Sequence, residues 1–142
     1  MPSILFICHG NICRSPMAEY VLKDIVSKAG AKHWTIDSAA VSTEEIGNPV
    51  YPAARRELQR HGIPCGNHQA RRITRDDLER FDRIIYMDHS NARYLERLFP
   101  DKRCWEPLLP HDVADPWYSG NFEKTWTDIY EGCTRIFEEM KV

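Results

Sequence analysis

The chain has 142 residues, 19 basic against 21 acidic, for a formal charge of −2; this suits a single domain over residues 1–142 and offers no basic surface for nucleic acid. No apolar run approaches the roughly 18 to 20 residues that span a bilayer, and no basic-then-apolar leader follows Met1. Five cysteines are an odd number, which argues against a disulfide framework and for free thiols in a reducing, cytoplasmic setting.

Residues 3–7 (Ser-Ile-Leu-Phe-Ile) read as a fully buried strand. Residues 15–29 read as a helix with Met17, Val21, Leu22 and Ile25 on one face, stopped by Gly30. A second, shorter strand is expected at 33–37, a helix at 52–61 ending at Gly62, and another helix from Thr74-Arg75-Asp76-Asp77, which supplies a cap and early acids. Residues 83–87 (Arg-Ile-Ile-Tyr-Met) are the clearest later strand, followed by a helix around 91–99 that ends before Pro100. A weak strand at 103–105 comes next. The last helix, 122–140, turns Trp126, Ile129, Tyr130, Cys133, Ile136 and Phe137 inward. Strands alternating with helices predict a three-layer, doubly wound parallel α/β sheet, whose ligands sit beyond the carboxyl ends of the strands at the switch point of strand order.

The first strand runs into Cys8-His9-Gly10-Asn11-Ile12-Cys13-Arg14-Ser15 and then Pro16. A strand-loop-helix turn of this kind gathers backbone N–H groups around a concavity and adds the positive end of a helix dipole. A thiol there is expected to ionise readily, and Arg14 supplies a planar fork of donors suited to phosphate oxygens. Gly10 and Asn11 tolerate positive φ. Ser15 is expected to cap the helix and to point its hydroxyl at the Cys8 sulfur, with Pro16 at the first helical position. Alone, a buried Cys is usually a small hydrophobe and an Arg usually a solvated side chain; together in one turn they form a nucleophile in an anion cradle. No Gly-Lys-Ser/Thr follows, so this is not a nucleotide loop. Zinc on Cys8, His9 and Cys13 is disfavoured because Cys65, Cys104 and Cys133 are solitary. No metal and no cofactor is expected.

Expelling an alcohol or phenol from a phosphate ester needs a proton donor. Asp115, in His111-Asp112-Val113-Ala114-Asp115-Pro116-Trp117-Tyr118, is the best candidate, although Asp-Pro pairs commonly just begin turns. Asp112 competes with it, and spacing does not choose between them. His111 reads as a surface residue. Trp117 and Tyr118 offer walls for an aromatic ring; their presence beside the site leaves a monomer and weak self-association both open.

Over essentially its whole length the chain resembles the low-molecular-weight protein-tyrosine phosphatases. The resemblance is carried by residues 8–15 with Pro16, Asp37-Ser38-Ala39-Ala40, Gly47-Asn48-Pro49, Arg60-His61-Gly62-Ile63, His68-Gln69-Ala70-Arg71, Met87-Asp88 with Asn91, and Asp115-Pro116. It implies a four-stranded, flavodoxin-like parallel sheet flanked by helices and metal-free hydrolysis of phosphotyrosine in protein substrates. It casts Cys8 as the nucleophile that becomes a phosphocysteine and Arg14 as the grip on the equatorial oxygens. Asp115 becomes the acid and then the base, and Ser15 the partner of the thiolate. The loop residues His9, Gly10, Asn11, Ile12 and Cys13 hold phosphate, Asn11 being fixed by Ser38 and His68, while Trp117 and Tyr118 flank the substrate ring. Cys13 is implied to pair with Cys8 under oxidation.

Two positions depart from the family pattern. His9 stands where a small apolar residue is usual, and exposure to solvent is the ordinary state of such a histidine. Val41-Ser42-Thr43-Glu44-Glu45 lacks an aromatic wall, so Glu44 in that place implies a more open and acidic pocket. Related arsenate reductases need relay cysteines that residues 82–92 do not contain. Protein-arginine phosphatases carry Thr where this chain has Ile12. A catalytically weak phosphotyrosine-binding module is disfavoured by intact Cys8, Arg14 and Asp115.

Overall fold

A computed structural model describes residues 1–141. Strands β1 (Ser3–Cys8), β2 (Thr35–Ala40), β3 (Arg83–Tyr86) and β4 (Trp105–Pro107) form one sheet in the order β2-β1-β3-β4, every pair parallel. The helices are α1 (Arg14–Lys28), α2 (Pro52–Arg60), α3 (Arg75–Arg80), α4 (His89–Leu98), α5 (Pro116–Ser119) and α6 (Phe122–Met140). Among the described residues no helix is long and apolar enough to cross a membrane.

The alternation of side chains along β1 divides the core. Ile4, Phe6 and Cys8 face one apolar layer with Met17, Val21 and Leu22 of α1, Leu58 of α2 and Ile129, Cys133 and Ile136 of α6. Leu5 and Ile7 face the other, with Leu78 of α3 and Leu95 of α4. Both faces of the central strand are therefore covered, as a parallel sheet requires, and residues 4–7 are fully buried. Each such side chain contributes about 1.5–3 kcal/mol of transfer free energy, so β1 is firmly held and Cys8 is delivered at its carboxyl end. There the chain has gone to one side for β2 and must cross back for β3, which is the switch point.

Helix ends explain how the chain turns between layers. α1 closes with Gly30 at φ 71°, Gly30 N–H donating to the Ser27 carbonyl and Ala31 N–H to that of Val26. α2 closes the same way at Gly62, with Ile63 N–H donating to the Leu58 carbonyl and both side chains buried. These left-handed caps use the residue type that enters that region without a Cβ penalty. α3 and α4 each begin with a reciprocal capping box, Thr74 with Asp77 and Asp88 with Asn91.

Several expectations need correction. β2 runs over Thr35–Ala40 rather than 33–37, because pairing with β1 extends to Cys8 opposite Ala40; the polar Asp37-Ser38 hides that extension from a hydrophobicity pattern. β4 lies two residues later than expected, and the Asp88 cap starts α4 at His89. Ser15 does not cap α1: Cys13 occupies that position without a side-chain bond, and Pro16 is third in the helix. Tyr130 is not inward but 45% exposed, stacking on Trp126, which stacks in turn on His61. The inner face of α6 instead includes Gly132, where a Cβ would lie 2.4 Å from Leu108 Cγ. Gly132→Ala is thus expected to destabilise the protein by about 1–3 kcal/mol through overpacking, read from urea unfolding; an unchanged midpoint would show that Leu108 moves aside at no cost.

Candidate active site

The loops leaving the carboxyl ends of β1, β2, β3 and β4 meet at one edge of the sheet. Those after β1, β2 and β4 line a cavity of about 140 Å³, bounded by Cys8, His9, Gly10, Ile12, Cys13, Arg14, Glu44, Glu45, Asp115, Trp117 and Tyr118. The two loops nearest the centre are tied together by backbone bonds, Val41 N–H to the Cys8 carbonyl and Ser42 N–H to that of His9. α1 starts at Arg14, so its positive end lies directly beside the loop.

A connected set of hydrogen bonds leads to Cys8. The Asn11 side-chain Oδ1 accepts from Arg71 N–H at 3.1 Å, which sets the amide orientation. Its Nδ2 then donates to Ser15 Oγ at 2.8 Å and to Ser38 Oγ at 2.9 Å. Ser38 passes its own proton to Glu19 Oε1 at 2.6 Å. Ser15 Oγ, which accepts from Asn11, also lies 2.9 Å from Cys8 Sγ, and either of these two groups can be the donor. Asn11 N–H approaches the same sulfur at 3.3 Å. The Ser15 hydroxyl and the Asn11 N–H thus both lie within hydrogen-bond reach of Cys8 Sγ. His68 completes the frame by donating from Nε2 to the Asn11 carbonyl at 2.7 Å.

These bonds hold Asn11 at φ 61°, a left-handed conformation that a non-glycine residue keeps only when its surroundings fix it. Gly10 does not share it, contrary to expectation. Its lack of a side chain serves packing instead, since a Cβ would meet Glu45 Cγ at 3.3 Å.

Arg14 is 2% exposed. Its Nη1 donates to Asp88 Oδ2 at 2.7 Å and to the Val113 carbonyl at 2.8 Å, and Nη2 reaches Asp115 Oδ2 at 3.5 Å. Burial acts against the cation, but Cys8, Asp88 and Asp115 outweigh it and hold the guanidinium above its ordinary pKa. Nε–H and one Nη2–H have no protein partner among the described residues. They form an edge of two parallel donors, a geometry suited to an oxyanion.

Asp115 is the N-cap of the short α5 and accepts from Trp117 N–H at 3.0 Å, with its other oxygen toward Arg14. Asp112 is elsewhere: its carboxylate binds the exposed His89 Nδ1 at 2.6 Å and does not line the cavity. His111 is exposed. Trp117 and Tyr118 stand at the mouth, 54% and 85% exposed. His9 does not simply point to solvent; its Nε2 lies 3.1 Å from both Glu44 carboxylate oxygens and its ring meets Tyr94 edge-on. Cys13 is a buried free thiol whose pKa is pushed far up by burial and by Cys8 and Asp115. All five cysteines are unpaired.

Four participants have contacts that the sequence alone does not assign to them. Glu19 and Asp88 anchor the Ser38 and Arg14 contacts, Glu45 covers Gly10, and Tyr51 packs on Trp117. For Glu19 the available signal is a carboxylate one turn after Ser15 and three residues before Leu22, on the side of α1 that those two residues share. For Asp88 it is the cap of α4 directly after β3.

A parallel α/β sheet carrying a thiol and a buried guanidinium at one cavity is the arrangement of a phosphate-handling class of protein. The family model "Low molecular weight phosphotyrosine protein phosphatase" matches residues 3–142. The chicken (Gallus gallus) low molecular weight phosphotyrosine protein phosphatase is 43% identical over 144 residues, covering 94% of this chain and 89% of that protein. The crystal structure of SP-PTP, a low molecular weight protein tyrosine phosphatase from Streptococcus pyogenes, superposes with a TM-score of 0.92 at 34% identity, over 100% of this chain and 95% of that one. DARP, drosophila arginine phosphatase, gives a TM-score of 0.87 at 30% identity, over 98% of each chain. The chain belongs to the low molecular weight phosphotyrosine protein phosphatase family.

Proposed function

We propose that the protein is a metal-free, cysteine-dependent protein-tyrosine phosphatase that works through a phosphocysteine and acts on phosphotyrosine-bearing proteins. The observation that carries this reading is the convergence of Cys8, Arg14 and Asp115 on one cavity, with Ser15 Oγ 2.9 Å from the Cys8 sulfur.

In the first step the Cys8 thiolate attacks phosphorus, the S–P bond forming as the P–O bond to the phenol breaks. Asp115 transfers its proton to the departing phenolic oxygen. Arg14 grips the equatorial oxygens through Nε and Nη2, where charge spreads in the transition state. In the second step the Asp115 carboxylate takes a proton from water as that water attacks phosphorus. The S–P bond breaks, and inorganic phosphate leaves with the thiolate restored. The dipole of α1 and the Ser15 hydroxyl stabilise the sulfur anion in both steps. Asn11, Ser38 and His68 keep the loop in its left-handed turn, and Trp117 and Tyr118 flank the phenyl ring.

Apolar Ile12 in the cavity lining favours a phenyl ring over a guanidinium as the group attached to phosphate. The test is phosphate release from a phosphotyrosine peptide and a phosphoarginine peptide with excess chelator. Chelator-resistant release from phosphotyrosine is expected. Release from phosphoarginine alone would overturn the substrate assignment, and loss of activity with chelator the metal-free chemistry.

A further inference from the structure

One residue outside the cavity touches both halves of the catalytic apparatus. Tyr51, which precedes Pro52 at the start of α2, donates its backbone N–H to the Ile12 carbonyl at 2.9 Å, inside the loop that carries Cys8. Its ring meets that of Trp117 at 4.9 Å between centroids and 61°, an edge-to-face contact. On another side it stacks on Phe122, the first residue of α6, at 6.1 Å and 14°. Tyr51 and Phe122 also pack against the small apolar cluster of Ile12, Cys13 and Ala70 beneath the loop.

The position of Trp117 in turn sets that of the acid. Asp115 Oδ1 accepts from Trp117 N–H, and Tyr118 and Ser119 N–H both bond the Asp115 carbonyl. The four-residue α5 is therefore a unit that carries the Asp115 carboxylate with Trp117. Trp117 is 54% exposed, so much of its surface is in water and the Tyr51 contact supplies a disproportionate share of what locates it. α5 is too short to hold a conformation of its own.

From this geometry we infer that Tyr51 is a positioning residue for the proton transfer: its ring holds Trp117, and through Trp117 it keeps Asp115 in register with the loop that bears Cys8. The inference rests on the reading of Asp115 as the acid. Tyr51 takes no proton and touches no reacting atom. It acts on the fraction of molecules in which donor and leaving oxygen are aligned, a fraction to which small displacements matter greatly.

The consequence depends on the leaving group. Phenol and tyrosine leave poorly without a proton, whereas 2,4-dinitrophenol leaves as a stable anion. kcat/KM reports the step in which the phenol departs, so it isolates the alignment of the acid. Tyr51→Ala is expected to lower kcat/KM for phenyl phosphate about tenfold, the scale of losing one edge-to-face aromatic contact, and to lower it far less for 2,4-dinitrophenyl phosphate. Tyr51→Phe keeps the ring and is expected to restore the parent ratio between the two substrates. Asp115→Asn is measured alongside. If it shows the leaving-group split and Tyr51→Ala loses activity equally on both esters, or Tyr51→Phe fails to restore the ratio, the positioning role is overturned and the acid assignment stands. If Asp115→Asn shows no split, the acid assignment falls and the Tyr51 role falls with it.

Discussion

Cys8→Ser is expected to cut turnover of a phosphotyrosine peptide by at least about 10⁴-fold, the scale seen when a covalent nucleophile is removed from an otherwise intact site. The substitution is nearly isosteric, and Ser15 Oγ and Asn11 N–H remain in place to bond a hydroxyl where they now approach sulfur at 2.9 and 3.3 Å. What is lost is the sulfur nucleophile, in whose place a serine hydroxyl is far less nucleophilic. Arg14 is untouched, so the variant should still bind inorganic phosphate or a phosphotyrosine peptide. Phosphate release together with calorimetric titration of the peptide separates the two effects. Turnover within tenfold of the parent would remove Cys8 from the role of nucleophile. Loss of binding along with turnover would instead show that the substitution had disturbed the cradle.

Asp115→Asn carries the second large effect. General acid catalysis contributes typically 10²–10⁴-fold, and the full loss is expected with phenyl phosphate, whose leaving group most needs the proton. The amide retains the shape of the cap on Trp117 N–H, so the loss reports the missing proton more than a missing loop. Asp112→Asn is the internal control: its carboxylate engages His89 at the surface, and its removal should leave the dependence on leaving-group acidity as it was. The reverse pattern between the two aspartates would transfer the role of acid to Asp112.

The parts of the molecule legible in its sequence are those where one local signal suffices. An unbroken Ile4-Leu5-Phe6-Ile7 run marks a strand buried on both faces, and α6 shows its period over nineteen residues. Residues 8–15 could be read because thiol, turn and guanidinium lie within a single loop. What was not legible is held together across long stretches of chain. Asp88 lies 74 residues from Arg14 and Ser38 lies 27 from Asn11, and nothing in either neighbourhood names the partner. Here the resemblance supplied Ser38 and His68 where spacing did not. It left Glu19 without a role, although that carboxylate is the last acceptor in the chain of bonds leading away from Cys8. The cap of α1 differs for a related reason: Ser-Pro before an apolar period is a common helix start, but here α1 begins at Arg14 with Cys13 as its cap, and the Ser15 hydroxyl lies beside the Cys8 sulfur.

Each loop at the carboxyl edge of the sheet brings a different ingredient. The one after β1 holds the thiol and guanidinium, and that after β2 supplies Glu44 and Glu45 at the lip. The one after β3 supplies Asp88 to steady Arg14, and that after β4 leads to Asp115 and its aromatic neighbours. Division of labour of this kind separates what can drift from what must stay. The lip can exchange its residues without moving the sulfur, and the aromatic mouth can be recut without altering the grip on phosphate. A chain organised this way can change its clientele while its reaction is preserved, and His9 clasped to Glu44 records one such local choice.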